Sequence, residues 1–158
     1  MTLEAAVKNQ LALWPVFDND ERLFEVQEGS QHLACQMVAL DRLACAFTRL
    51  AVSSESTGAR EAAQLEETAR RLAARLTYLL EPISPIEVDA HGCTVQMRSN
   101  PPQKGEDGTT YYELLVSRGG ELSLCRYHRA QGTGRTLIAC QVTREVFLRL
   151  VQDFASVG

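Results

Sequence analysis

The side chains best suited to chemistry stand together at residues 126–129, which read Arg-Tyr-His-Arg, and at Arg135 after a glycine-containing turn. A guanidinium offers two parallel donors to a carboxylate or phosphate, and the amides of a turn can add further donors. Alternation along a strand places Arg126 and His128 on one face and Arg129 on the other, unless a bulge re-aims one of them. One hypothesis is therefore a small-ligand or anion-binding site at Arg126, His128, Arg129 and Arg135. The other interpretation is a solvated strand and its turn.

Thiols and imidazoles form a more scattered pattern. A cysteine nucleophile needs a base within reach, and Cys93 with His128 is one pair that neighbouring strands could bring together. The residue types that bind zinc are present, but they are distant from one another in the sequence: His91, Cys93, Cys125, His128 and Cys140. There is no Cys-x-x-Cys pair, and the Gly-x-Gly at 132–134 is too short for a nucleotide loop. We predict no catalytic residue, metal or cofactor, and keep a small enzyme with a Cys/His site on the sheet as a further alternative.

Composition narrows the choice of partner and location. The net charge is −4, and the acidic excess lies in the first 85 residues, which argues against a nucleic-acid partner. No apolar run reaches the roughly 18 residues that a membrane span requires, so no membrane partner is expected. The N-terminus lacks a secretory signal, and the five cysteines are an odd number, which indicates reduced thiols. We expect a cytoplasmic protein.

Hydrophobic spacing predicts helices in the first part of the chain, residues 1–81. A short helix over 2–14 is followed by an ambiguous segment at 22–27. After Gly29, a long stripe with steps of four and three predicts an amphipathic helix, and its members are Leu33, Met37, Leu40, Ala44, Phe47 and Ala51. A second stripe, from Ala62 to Leu79, predicts a second helix. The polar link between them is short, so we expect an antiparallel helical hairpin.

From Ile86 the spacing changes to two, which is typical of strands. We predict five strands in a meander over 86–142: a hairpin turning at His91-Gly92, a loop over 100–108, and strands around 112–116, 121–129 and 135–142. Thr143 then begins a closing helix over 143–156. The predicted fold is a single α+β domain, 1–158, in which an N-terminal helical hairpin packs on a five-stranded antiparallel meander sheet with a C-terminal helix.

The wide apolar arc of the first long stripe has two interpretations. Contact with both the second helix and the sheet would bury it within one molecule, whereas part of it would otherwise form a dimer or partner interface. With the acidic balance, this favours a non-enzymatic protein-interaction or regulatory module that binds itself, as a homodimer, or another protein.

Bacterial secretion chaperones are small acidic α+β proteins that dimerise and bind segments of their partners. This chain is similar to them in size and net charge, and the resemblance implies self-association and partner binding. The expected order of elements, with the helices first and a continuous meander after them, differs from theirs, so no residue role is transferred.

Overall fold

The computed structural model describes residues 1–55, 61–89 and 94–157. Three α-helices are α1 (Leu3–Leu13), α2 (Ala62–Arg75, continued by a 3-10 turn over Leu76–Leu79) and α3 (Arg144–Val157). The strands are β1 (Arg22–Glu28), β2 (Gln31–Leu40), β3 (Ala44–Ser54), β4 (Ile83–Asp89), β5 (Thr94–Ser99), β6 (Gln103–Gly105), β7 (Gly108–Ser117), β8 (Leu122–Arg129), β9 (Arg135–Ile138) and β10 (Cys140–Thr143).

Within the described ranges, the ten strands form one antiparallel sheet with the order β1-β2-β3-β8-β7-β5-β4. Two meanders, β1 to β3 and β4 to β8, are joined where β3 pairs with β8, and α2 connects them along the chain. The short strands add to this path, because β10 pairs with β3, β6 with β7 and β9 with β8. Strands β1 and β4 are the two ends of the order.

All three helices pack on the same face of this sheet. Helix α3 contacts α1 and α2 as well as β3, while α2 lies over β4, β5 and β7. Residues of the helices and of every second position in the strands share one apolar core, whose largest fully buried side chains include Phe24, Phe47, Phe147, Phe154, Met37 and Leu50. We call this side the covered face. The opposite side, on which none of the described helices packs, is the uncovered face.

The predicted helical hairpin is wrong in its first half. Residues 31–54 form the paired strands β2 and β3 instead of a helix that begins after Gly29. The chain reverses at Asp41, whose Oδ1 accepts hydrogen bonds from the backbone N–H groups of Leu43 at 2.8 Å and Ala44 at 2.7 Å. Such local side-chain bonds to the backbone compete with helix formation, so Asp41 marks a turn in the middle of the apolar stripe.

The stripe itself is compatible with a strand. Leu33, Cys35 and Met37 are fully buried at a spacing of two, and register shifts between Gln36 and Ala39 then return Leu40 to the core. A bulge of this kind adds a residue to one strand and breaks strict alternation. Steps of two interrupted by a bulge therefore give Leu33, Met37 and Leu40 the same four-and-three spacing as a helix. Ala44 and Ala51 of the same stripe lie outside the apolar core cluster.

Three further differences concern the sheet. It has ten strands in the described residues rather than five. The predicted loop at 100–108 contains β6, which pairs with β7. The predicted fifth strand divides into β9 and β10, which bond to different neighbours, β8 and β3.

The other elements are confirmed. Helix α1, capped by the Thr2 side chain, and helix α2 lie where the spacing predicts them. Strands β4 and β5 pair as expected, although the predicted turn at His91-Gly92 lies outside the described residues. Thr143 caps α3 by accepting a hydrogen bond from the Val146 N–H at 3.1 Å. The class, α+β with a large antiparallel sheet, is therefore correct.

Candidate functional site

The register of the central strands determines which polar side chains meet on the uncovered face. Arg98 of β5 stands opposite Glu113 of β7, and Glu113 stands opposite Cys125 of β8. Residues directly opposite one another in an antiparallel pair lie on the same face, with their Cβ atoms about 5 Å apart. Tyr111 and Tyr127 form the next row along the same strands.

Glu113 is the centre of this group. Its side chain is only 6% exposed, although no helix covers it, because two arginines lie against it. Arg135 donates a short hydrogen bond to Glu113 Oε2, and Arg98 Nη2 lies 3.8 Å from the same oxygen. Burial acts to lower the pKa of Arg135, but hydrogen bonds to Tyr111 and Glu113 more than offset it and raise that pKa. The carboxylate is thus shared between two cations.

Two tyrosine rings support the guanidiniums. The Arg98 guanidinium lies 4.6 Å from the ring centroid of Tyr111, and that of Arg135 lies 3.9 Å from the centroid of Tyr127. The two rings are themselves 5.9 Å apart. Stacking on an aromatic face holds an arginine in place while leaving the edges of its fork free for other acceptors. We call Arg98, Tyr111, Glu113, Tyr127 and Arg135 the arginine–tyrosine cluster.

Arg126 lies on the covered face, away from this cluster. Its Nη2 bonds to Glu81 Oε2 at 2.9 Å and to Gln103 Oε1 at 3.1 Å, and its guanidinium lies 4.1 Å from the Tyr112 ring. The side chains of Arg126 and Glu81 are 12% and 13% exposed. Arg126 is therefore already paired with a largely buried carboxylate, which leaves little reason for it to take a free anion.

The other two predicted residues of β8 also separate. His128 shares the covered side with Arg126, where its Nδ1 lies 3.2 Å from Thr110 Oγ1 and its Nε2 lies 3.8 Å from Asp107. Arg129 is exposed on the uncovered side, opposite Arg135. At Gly108 a Cβ atom would lie 2.1 Å from the Arg129 backbone oxygen, so only glycine allows β7 to begin there. The structure thus brings Arg129 and Arg135 together and separates them from Arg126 and His128.

The thiols are divided in the same way. Cys35, Cys45 and Cys140 are buried in the core. Burial raises the pKa of all three thiols, and it raises those of Cys45 and Cys140 to about 12. Cys125 lies on the uncovered face, and burial raises its pKa as well. Cys125 and His128 point to opposite faces of β8, while His91 and Cys93 lie outside the described residues. In the described part of the chain, no three His, Cys, Asp or Glu residues are grouped to hold a metal ion.

A second candidate surface lies on the outer side of α2. Leu65, Thr68, Ala69 and Leu72 point into the core. The opposite side carries Glu67, Arg70 and Arg71, all exposed, with Glu66 half-buried beside them. Among the residues that the structure describes, none of these four charged side chains forms an ion pair. Charges on one helix face that have no partner among the described residues are candidates for contact with another molecule.

This surface continues past the end of α2. Leu80, with a left-handed φ of 64°, is 89% exposed. It borders a cavity of about 660 Å³ whose lining includes Ala73, Ala74, Leu76, Pro82, Ile83 and Pro85. Strand β4 beside the cavity is one end of the sheet order, so its outer edge has no neighbouring strand in the described residues. We call this outer side of α2, Leu80 and the edge of β4 the α2–β4 surface.

Arg98, Tyr111 and Glu113 are site residues that the sequence alone does not reveal. Their alternation with Met97, Tyr112 and Leu114 does predict the face on which they lie. The register of three strands, which brings them to Arg135, is not visible in the alternation of any single strand.

None of the helices in the described ranges is both long enough and apolar enough to cross a lipid bilayer. Comparison of the chain with protein-family models, with curated proteins and with solved structures finds no match to any of them.

Proposed function

We propose that this chain is a non-enzymatic protein-interaction or regulatory module of the cytoplasm, which self-associates and binds another protein. The observation that carries the proposal is the exposed side of α2, whose charges are complementary to a second copy of the same helix. Most soluble oligomers are symmetric, and a twofold interface requires such a self-complementary surface.

The complementarity is visible in the order of the charges. Two acidic residues, Glu66 and Glu67, precede two basic residues, Arg70 and Arg71, by about one turn. If two copies of α2 pack antiparallel about a twofold axis, Glu67 faces the partner's Arg71 and Glu66 faces the partner's Arg70, because residues four apart share one flank of a helix. Twofold symmetry repeats each contact, so four ion pairs form between groups that have none within the described part of the single chain.

Small side chains allow the two helices to approach. In the same arrangement the twofold axis passes at the level of Thr68 and Ala69, and Ala63 faces the partner's Ala74. Both alanines are exposed in the single chain. Small residues at a helix contact bring the axes closer, toward the lower end of the usual spacing of about 8 to 10 Å.

Beyond the helix, association would cover apolar surface. The exposed Leu80 and the cavity beside it are the kind of surface that water disfavours, and burial contributes about 25 cal/mol per Å² of apolar area. Pro85 lies in β4, and proline at a sheet edge cannot donate a backbone hydrogen bond to a new strand. The proposed contact is therefore made by side chains of the α2–β4 surface, not by continuation of the sheet.

Two further observations support a non-enzymatic function. Burial keeps the thiols of Cys45 and Cys140 protonated at neutral pH, whereas a cysteine nucleophile reacts as the thiolate. Cys125 and His128 lie on opposite faces of β8 and cannot act as a pair.

The resemblance to bacterial secretion chaperones in size and charge also supports the proposal. The predicted element order, with the helices first, had spoken against that resemblance, and this order was wrong.

The test is the molar mass in solution, measured by light scattering behind size-exclusion chromatography at several concentrations. We expect a dimer for the wild type. Glu67→Arg places two arginines against each other at the interface, and Arg71→Glu places two acids there, so each variant should be monomeric. An equimolar mixture of the two variants should dimerise again, because the exchanged charges complement each other.

Arg118→Glu is the matched control, since Arg118 is exposed in the turn between β7 and β8 and does not belong to the α2–β4 surface. It should remain dimeric. A wild type that is monomeric at every concentration would contradict self-association. A dimer that persists in both single variants would place the interface elsewhere.

A further inference from the structure

The uncovered face carries more positive than negative charge at one end. In the arginine–tyrosine cluster, one carboxylate, Glu113, faces two arginines, Arg98 and Arg135. One negative charge compensates one of them. The side chains of Arg98 and Arg135 are 34% and 41% exposed, so the surplus charge reaches the solvent.

Arg129 adds a further cation at the same place. It stands directly opposite Arg135 in the pairing of β8 with β9. Like charges opposite each other across two strands are destabilising. Within the described residues the Arg129 side chain forms no ion pair, and Arg135 shares Glu113 with Arg98, so no described acidic side chain fully offsets that repulsion. An anion placed between the two would do so.

The cluster is also rigid enough to act as a site. Tyr111, 4% exposed, lies beneath Arg98, and Tyr127 lies beneath Arg135. Glu113 fixes one end of both guanidiniums. Groups that are held in position before a ligand arrives lose less side-chain entropy on binding.

We propose that Arg98, Arg129 and Arg135 bind carboxylate groups of an acidic segment in a partner polypeptide. This inference deepens the proposed function by naming the chemistry of the partner. It rests on the protein-binding half of that function only, because the uncovered face is separate from the α2–β4 surface. Arginine forks bind carboxylates in a bidentate manner, and three of them suit a segment with several acidic side chains.

A polypeptide fits this surface better than a nucleic acid does. Single-stranded nucleic acid binding combines an extended basic groove with open aromatic rings on which bases stack. Here the Tyr111 ring is covered by Arg98, and the whole chain has a net charge of −4. A local patch of three arginines in an acidic protein matches a short acidic segment and repels a long polyanion.

The test measures binding of a fluorescently labelled hexaglutamate peptide to the full chain by fluorescence anisotropy. A hexaglutamine peptide and a single-stranded oligothymidylate serve as comparison ligands. We expect the wild type to bind hexaglutamate in preference to both, with an affinity that falls as salt is added. Arg129→Gln and Arg98→Gln should each weaken binding about tenfold, as expected for a lost hydrogen bond to a charged group.

Arg118→Gln removes an exposed arginine from the turn between β7 and β8, outside the three proposed carboxylate-binding arginines, and should leave the affinity for hexaglutamate unchanged. Arg98→Gln and Arg129→Gln both keep Arg135 on Glu113, and circular dichroism would establish that they fold. Equal binding of glutamate and glutamine peptides, equal weakening by Arg118→Gln, or tighter binding of oligothymidylate would each overturn the proposal. The Glu67→Arg variant separates the two proposals, because it should lose self-association and keep hexaglutamate binding.

Discussion

The two faces of the sheet are built from the same strands but differ in almost every side chain. On the covered face, Leu114, Leu124, Leu50 and Cys35 form a row across four strands, and all are fully buried. One position along, the row on the uncovered face reads Leu115, Ser123, Ala51 and Ala34. The covered row therefore has three leucines in four positions, whereas the uncovered row has three small side chains in four positions.

This difference indicates that the covered face mainly stabilises the fold, whereas the uncovered face carries the proposed binding site. Burial of apolar area on the covered face supplies most of the free energy of folding. The uncovered face contributes less to the free energy of folding, because alanine and serine side chains bury little apolar area. Changes on the covered face should therefore alter the free energy of unfolding strongly, and changes on the uncovered face should alter it weakly.

Phe47→Ala should give the largest effect. Phe47 of β3 and Phe147 of α3 are both fully buried, with ring centroids 5.7 Å apart in an edge-to-face arrangement. Removing the ring leaves a cavity between sheet and helix, so we expect the free energy of unfolding to fall by about 3 to 5 kcal/mol. Urea denaturation followed by circular dichroism measures it.

The matched change on the uncovered side is Leu137→Ala, because Leu137 is 46% exposed opposite Tyr127. Its cost should stay below about 1 kcal/mol, since little apolar area is lost from a buried environment. If the two substitutions cost the same, the contrast between the faces would be wrong.

The same contrast explains which elements the sequence predicts. Helices α1, α2 and α3 each have one buried side, so their spacing is clear. Strands β2 and β3 are central, and small apolar residues such as Ala34 and Ala51 occupy their second face as well. Apolar residues on both faces remove the alternation that identifies a strand, and the stripe then resembles a helix that is apolar all round.

The candidate site is predictable only in part, for a related reason. Alternation along β8 correctly separates Arg126 from Arg129. It cannot reveal that Arg135 turns back across Tyr127 to reach Glu113, because that contact depends on the register of β7, β8 and β9. The turn lengths and bulges that determine register act between strands, not within one.

Glu113→Ala should have an intermediate effect. It leaves Arg98 and Arg135 without their shared carboxylate on the uncovered face. Because both guanidiniums are partly solvated, we expect a loss of about 1 to 2 kcal/mol, less than for a fully buried pair. Urea denaturation at low salt measures the change in the free energy of unfolding.

The control is Glu121→Ala, which breaks the exposed pair with Arg49, 2.7 Å long. Exposed pairs contribute at most about 1 kcal/mol, so its effect should be smaller than that of Glu113→Ala and should vanish in high salt. An equal loss for both acids would mean that the buried position of Glu113 has no energetic consequence.

The last prediction concerns the thiols at high pH. Cys45 and Cys140 have a pKa of about 12 in the folded chain, because they are buried, against 9.0 for an exposed thiol. A raised folded pKa contributes stability that is complete below pH 9.0 and is lost as the pH rises toward 12. At about pH 10 each thiol should reduce the free energy of unfolding by about 1 kcal/mol.

Urea denaturation of the wild type and of the double variant Cys45→Ala, Cys140→Ala between pH 7 and about pH 10 tests this prediction. The double variant should be less stable at neutral pH, because it has two small cavities, yet lose less stability as the pH rises. An alkaline decline of the same slope in both proteins would show that ionisation of Cys45 and Cys140 on unfolding does not cause the decline.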